Sequence, residues 1–320
     1  MTQNAQVLCE GQKRLPSTLT ILMGCIPFIV MHAIAIGGLF YFELTWSAVL
    51  LVAVTYYVRM FGITAGFHRY FSHRGYKTGR VFQFVLAWIG SSSAQRSPLW
   101  WSGHHVDHHK YSDTERDIHS PKHGFWWSHM VWMMSGVFDD TPVKHLRTYE
   151  KYPEMMWIHR NWLVPPVVMA VALVVFGGWS SLFWGFFFST FLLWHGTFTI
   201  NSLCHVWGYR RFETKDTSRN NFFLSLITMG EGWHNNHHHY PSTANNGFYW
   251  WQIDPSYVIL KGLEKLGVVW DLRTPPKWVL EGRARRDDPG FGALVKKPTS
   301  SRRPEPTEGR GLDEAATATS

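Results

Sequence analysis

Four apolar runs, arranged in two pairs, constrain this chain more than any other feature. Residues 20–42 carry no formal charge and match the roughly 20 residues a helix needs to cross a bilayer. Glu43-Leu44-Thr45 reads as a tight turn, and a second run follows at 46–67, interrupted by Arg59. An ionisable side chain at membrane depth is costly, so Arg59 should snorkel or face protein. The third run, 161–177, carries Pro165 and Pro166 near its start, where helices tolerate proline. Gly177-Gly178-Trp179-Ser180-Ser181 is the next expected turn, and 182–204 is the fourth run. Ala33-Ile34-Ala35 resembles a signal cleavage site, but the first run exceeds the roughly 7–15 apolar residues of a signal peptide, which favours a retained span.

Charge placement agrees with this pairing. The turns near 43 and 179 lack Lys and Arg. Of the 31 basic residues, all except Arg59 lie in the N-terminal tail, in 68–160 or after 205. With four spans those regions share one side, and the excess of positive charge makes that side cytoplasmic. The expectation is therefore an all-α, multi-pass integral membrane protein. Its four transmembrane helices form two hairpins, under a cytosolic helical cap made of 68–160 and 205–282. Residues 1–282 form one unit, both termini are cytoplasmic, and 283–320, rich in Arg, Pro, Gly, Ser, Thr and Glu, are expected to be disordered. A mean hydropathy of −0.15 fits a membrane part joined to a large aqueous part. Within the cap, 81–88 and 125–137 read as short amphipathic pieces. Asp254-Pro255 is a helix start with an N-cap Asp, Val258, Ile259, Leu263 and Leu266 give that helix an apolar face, and Gly267 can end it. The net charge of +8 suits anionic lipid or an anionic substrate, and no basic stripe or RNA-binding signature points to nucleic acid. Cys9, Cys25 and Cys204 make no disulfide framework, and Cys204 reads as a buried structural thiol.

Histidine supplies the chemistry. His234, His237 and His238 form a His-x-x-His-His box whose spacings put three imidazoles on one helix face. The same spacing occurs at His105, His108 and His109. His68 and His73 stand where the second run ends, and His205 where the fourth ends. Five residues turn an α-helix about 140° beyond one full turn, so His68 and His73 either serve different metals or bracket a helix end. Nine imidazoles exceed what one metal takes, which implies two. The all-nitrogen set is unlike a closed zinc site and unlike the oxygen sites of calcium and magnesium; iron fits it best. Asn201, one turn before His205, suits a metal-bound water, and Asp107, Asp113 and Asp117 suit acceptance of imidazole N–H groups. His32 reads as a helix-contact residue. His104 and His239 extend their boxes without ligand roles, and His119, His123, His129, His145, His159 and His195 read as structural or surface residues.

The pattern His-x4-His, then His-x2-His-His twice, with Asn201-Ser202-Leu203-Cys204-His205 between the last two, resembles the membrane fatty acyl desaturases, most of all the stearoyl-CoA Δ9 type. Gly62-Ile63-Thr64-Ala65-Gly66, His109-Lys110-Tyr111-Ser112 and Gly230-Glu231-Gly232-Trp233-His234-Asn235 extend the likeness over about 20–270. The resemblance implies two iron ions held by His68, His73, His105, His108, His109, His205, His234, His237 and His238, with Asn201 acting through water. It implies a tunnel for a fatty acyl-CoA, O2 as oxidant and a cis double bond as product. The His-Pro-Gly-Gly heme motif of cytochrome b5 fusions is absent from the sequence. An external donor is expected, of ferredoxin or cytochrome b5 type, with an NAD(P)H reductase. A membrane hydroxylase of alkanes, fatty acids or carotenoids is the alternative, since it begins with the same hydrogen abstraction. A metal transporter would need more polar residues within the spans than His32, Arg59 and His195.

Overall fold

The computed structural model describes residues 18–136, 138, 140–142 and 147–282. The expectations for 1–17, Cys9, His145 and 283–320 fall outside them. The fold is helical: α1 (Thr18–Gly37), α2 (Trp46–Phe61), α3 (Arg80–Ser91), α4 (Pro98–Tyr111), α5 (Pro153–Arg160), α6 (Val164–Leu182), α7 (Ser189–Asn201), α8 (Leu203–Val206), α9 (Phe222–Ile227), α10 (His234–His239) and α11 (Pro255–Lys265). A two-residue antiparallel pair, β1 (Lys77–Thr78) with β2 (Val269–Trp270), ties the chain after α2 to the chain after α11.

Three stretches are long and apolar enough to cross a membrane: Ile21–Phe40, Trp46–Ser72 and Val164–Val206. The third runs 43 residues, about 65 Å if it were one straight helix, roughly twice the hydrocarbon thickness. It is not straight. Gly178 has φ 70° and ψ −170°, a left-handed break inside α6, and a single residue replaces the five-residue turn expected there. A Cβ on Gly185 would lie 3.0 Å from Leu173 and 3.2 Å from Leu51, so the chain folds back on itself beside α2. The first turn meets this region: Phe42 stacks on Phe183, and Trp184 Nε1 donates to the Glu43 carbonyl at 3.1 Å. Leu22, Leu50 and Val171 project outward from these helices, more than half exposed. Leucine and valine left so open on long apolar helices mark lipid-facing surface; the chain is an integral membrane protein.

Helix starts follow the local chemistry. Thr45 caps α2 by accepting from Ala48 N–H, and Ser97 caps α4 by accepting from Trp100 N–H ahead of Pro98. Asp254 caps α11 as expected, accepting from Tyr257 N–H. The face of α11 differs from its expected one: Leu260 is buried and Leu263 packs on the core, while Val258, Ile259 and Leu266 point outward. Arg59 faces protein. Its guanidinium donates to Thr190 Oγ1 and Ser189 Oγ, both at 2.6 Å, and to the Thr55 carbonyl. α2 also does not end at 67. It continues as a π-helical stretch, Gly62–Ser72, and this continuation carries the first histidines to the site.

Candidate metal centre

The nine box histidines divide into two groups. One is His68, His73, His105, His109 and His237; the other is His108, His205, His234 and His238. Within each group, one ring nitrogen per residue lies within 4.8 Å of all the others. In the first, the Nε2 atoms of His68 and His237 are 2.9 Å apart, those of His73 and His105 2.8 Å, and those of His109 and His237 2.8 Å. In the second, His205 Nε2 lies 3.1 Å from His234 Nε2.

This grouping settles a division that the spacing leaves open: each box contributes to both groups. On α4 the i, i+4 pair His105 and His109 serves the first group, while His108 points to the second. On α10 the pair His234 and His238 serves the second group, and His237 points to the first. Positions i+3 and i+4 are about 100° apart around an α-helix, so one box can straddle two centres. Of the two alternatives for His68 and His73, the second holds: both serve one group, and the helix ends between them, at Ser72, with His73 as its cap. The intervening backbone bonds i to i+5, His73 N–H donating to the His68 carbonyl at 3.2 Å. That wider turn brings the fifth residue back above the first.

Carboxylates fix the ring orientation. Glu231 Oε2 lies 2.6 Å from His68 Nδ1, Asp117 Oδ1 2.9 Å from His108 Nδ1, Asp216 Oδ2 2.8 Å from His238 Nδ1 and Asp113 Oδ2 3.4 Å from His205 Nδ1. A carboxylate only accepts, so His108, His205 and His238 carry the proton on Nδ1 and turn the Nε2 lone pair inward. Asp107, the third expected acceptor, lies near His104 instead. Burial, reinforced by neighbouring imidazoles, holds His73, His105, His109, His234 and His237 well below the ordinary histidine pKa. Burial pushes Asp113 up, but His205 and Thr217 outweigh it and bring its carboxyl to about 2. Asp117 and Asp216 are likewise held low, burial being outweighed by His108 and His119 for one and by His238 for the other.

The arrangement fits metal. The buried His108 Nε2 and His238 Nε2 have no hydrogen-bond partner among the described residues, a costly state for polar atoms shielded from water. Neutral imidazole nitrogens converging in two sets suit two divalent transition-metal ions.

Second-layer contacts explain residues the sequence reading passed over. Buried Arg69 donates to Glu231 Oε1 at 2.9 Å and to Asp254 Oδ2 at 2.8 Å, locking the partner of His68 against the base of α11. Gly230, φ 108°, is needed there, since a Cβ would lie 2.2 Å from Asp254 Oδ1. Asn235 Oδ1 accepts from the backbone N–H groups of Arg211 and Phe212, both at 2.7 Å. Asn236 Nδ2 donates to Asn246 O and Gln252 Oε1. These amides hold the six-residue helix α10 rigid. Glu231 stood between two glycines directly before the last box; Asp216 had no sequence signal.

The histidines outside the boxes also have places. His104 Nε2 pairs with the Asp140 carbonyl, and His239 stacks on Phe212. His119 lies over His108, ring centroids 4.2 Å apart. His32, His195 and His129 form a chain, with nitrogens 3.1 and 3.0 Å apart, that ends on Ser202 Oγ at 2.9 Å.

One cavity touches both groups. Ile63, Thr64, Trp101, Thr197 and Ile200 line it together with His68, His105, His108, His234 and Asn201. Apolar and hydroxyl side chains from the stretch Gly62–Ser72, α4 and α7 thus give onto imidazoles of both sets.

Comparison with known proteins accounts for this combination. A family model described as fatty acid desaturase matches residues 44–271. The sn-2 palmitoyl-lipid 9-desaturase of Nostoc sp. (strain 36) is 37% identical over 262 residues, 80% of this chain and 91% of that protein. The acyl-CoA C20 Delta5-desaturase of Anemone leveillei is 36% identical over 77% of this chain and 82% of its own length. Delta-9 acyl-lipid desaturase 1 of Arabidopsis thaliana is 38% identical over 73% of this chain and 78% of its own. A match across most of the chain, on a helical membrane protein with paired histidine clusters, means that it belongs to the fatty acid desaturase family.

Proposed function

We propose that the protein desaturates a long-chain fatty acyl thioester, acyl-CoA, introducing a cis double bond at Δ9. The observation carrying this reading is a cavity that meets both histidine groups and apolar side chains of the spans. His68, His73, His105, His109 and His237 would hold one iron, and His108, His205, His234 and His238 the other, with Asn201 acting through a water. Two bound irons would supply the O2-dependent oxidising power needed for an unactivated methylene. Overall, R–CH2–CH2–R′ + O2 + 2e− + 2H+ gives R–CH=CH–R′ + 2H2O. The electrons come from a ferredoxin or cytochrome b5 type donor with its NAD(P)H reductase.

The protein's own part is positioning. Ile63, Ile200 and Trp101 hold a chain with no polar handle near its reacting carbons, where orientation contributes most. Thr64 and Thr197 add short polar contacts at the same wall. Burial of the imidazoles excludes water from the reaction.

Four spans in two hairpins complete the reading, with 68–160, 205–282 and both termini on the cytoplasmic face and 1–282 as one unit. The break at Gly178 and the contact of Phe42 with Phe183 support it.

Expression in a host lacking unsaturated fatty acids, followed by mass spectrometry of the lipids, tests the activity. A cis Δ9 alkene is expected, and a hydroxylated product without alkene would contradict it. Assay of the purified protein with acyl-CoA and with acyl-lipid separates the head groups, because relatives of both kinds exist. Turnover of acyl-CoA is expected.

A further inference from the structure

The two histidine groups are built from the same ligand type but sit in different electrostatic surroundings. In the four-histidine group, three of four rings carry an aspartate on Nδ1: Asp117 on His108, Asp113 on His205 and Asp216 on His238. These aspartates are further held by backbone N–H groups and hydroxyls. Asp113 accepts from Thr217 N–H and Oγ1, Asp117 from Asp113 N–H, and Asp216 from Ser218 N–H. In the five-histidine group, among the described residues, only His68 carries a carboxylate, Glu231. That carboxylate is shared with Arg69, which also pairs with Asp254. Counting these groups, three negative charges surround the smaller cluster. Glu231, Asp254 and Arg69 leave one beside the larger.

We propose that Asp113, Asp117 and Asp216 make the four-histidine site the more strongly donating of the two, so that it retains ferric charge while the five-histidine site is reduced first. The physical reason is direct. A carboxylate on Nδ1 raises the basicity of the ligating Nε2, and fixed negative charge in a buried site favours the higher cation charge. Iron held by His68, His73, His105, His109 and His237 would then take the first electron of a one-electron donor, Fe3+ to Fe2+, and iron at the other site the second, two electrons for two irons. Delivery is ordered by the protein's charges.

This inference rests on the two-iron reading above. The test uses full-length protein loaded with 57Fe, titrated anaerobically with dithionite and followed by Mössbauer spectroscopy. Iron analysis comes first: fewer than two irons per chain would defeat the two-iron reading itself. With two irons present, half-reduced protein is expected to show ferrous iron in one site over the other by about tenfold or more, about 59 mV for a one-electron step. Equal reduction of both sites would overturn the proposal. Asp216→Asn should lower that preference severalfold by easing reduction of the retaining site. Glu231→Gln should alter the signal of the site reduced first. Asp113→Asn serves as the second variant if Asp216→Asn loses iron. An iron-replete aspartate variant with unchanged preference would also overturn the proposal, and a merely structural aspartate would move stability without moving this ratio.

Discussion

A carboxylate on Nδ1 does two things for an imidazole that must bind through Nε2: it fixes the tautomer and it aims the ring. Asp216 shows both on His238, at 2.8 Å. Asp216→Asn should weaken iron binding about 10–100-fold, measured by chelator competition, with the protein still inserted in the membrane. His237→Ala removes a ligand itself, and turnover should become undetectable with reduced iron content. The buried rings also set a pH dependence. His73, His105, His109, His234 and His237 have folded pKa values below the unfolded value of about 6.5. Above 6.5 neither state takes up protons on them. As pH falls through 6.5, the unfolded chain binds protons that the native chain refuses, and stability is lost. His108, held up by its aspartates against burial, works the other way, as one group against five. Melting of the metal-free protein in detergent should be flat from pH 8 to 7 and fall toward pH 5; a melting temperature that rose in that range would contradict the burial argument. At this scale the sequence was generous. The nine histidines that the fold gathers into two clusters, and two of the aspartates beside them, were singled out by spacing and composition. Asp216 was not, because its role depends on a loop brought beside His238 by the fold.

The histidines are aimed by elements, and here the sequence was less transparent. Box spacing was read with ideal α-helical angles. Those angles leave the split of each box open, since His108 and His109 diverge by about 100° whichever centres they serve. Nothing in Gly62-Ile63-Thr64-Ala65-Gly66 announces i to i+5 bonding; in the fold the stretch packs against α3 and α4. Deleting Ala65 should tighten the winding ahead of the site toward α-helical and rotate His68 and His73 together relative to α4. Iron analysis should then find loss at the five-histidine site, and full retention would show that the π-helical register is dispensable. The His32–His195–His129 chain joins α1, α7 and the stretch Trp127–Val131. The His32–His195 contact joins two membrane helices, and hydrogen bonds of that kind contribute about 0.6–2 kcal/mol. His195→Leu should loosen 127–134, seen as faster hydrogen exchange there with the metal clusters intact. No exchange difference would reduce the chain to incidental contact. Histidines without box partners gave no hint of this link, because their partners are 66 and 163 residues away.

Across the whole molecule, the apolar runs were the readable feature. They reflect constraints applied over 20 residues or more, which single contacts do not blur. The run 161–204 was harder, since only the Gly178 backbone angle and the Leu173–Gly185 approach fold it back. Cysteines introduced at Tyr41 and Trp179 should react with an impermeant reagent from the outer face of intact cells, and one at Lys151 only after permeabilisation. Labelling of all three from outside would contradict the hairpin arrangement. The central claim is that two hairpins and a cap assemble one two-iron centre from nine histidines. The most direct measurement is the metal content of the purified full-length protein by mass spectrometry. Two irons per chain is the predicted result; a single metal, or a metal other than iron in the active preparation, would contradict it.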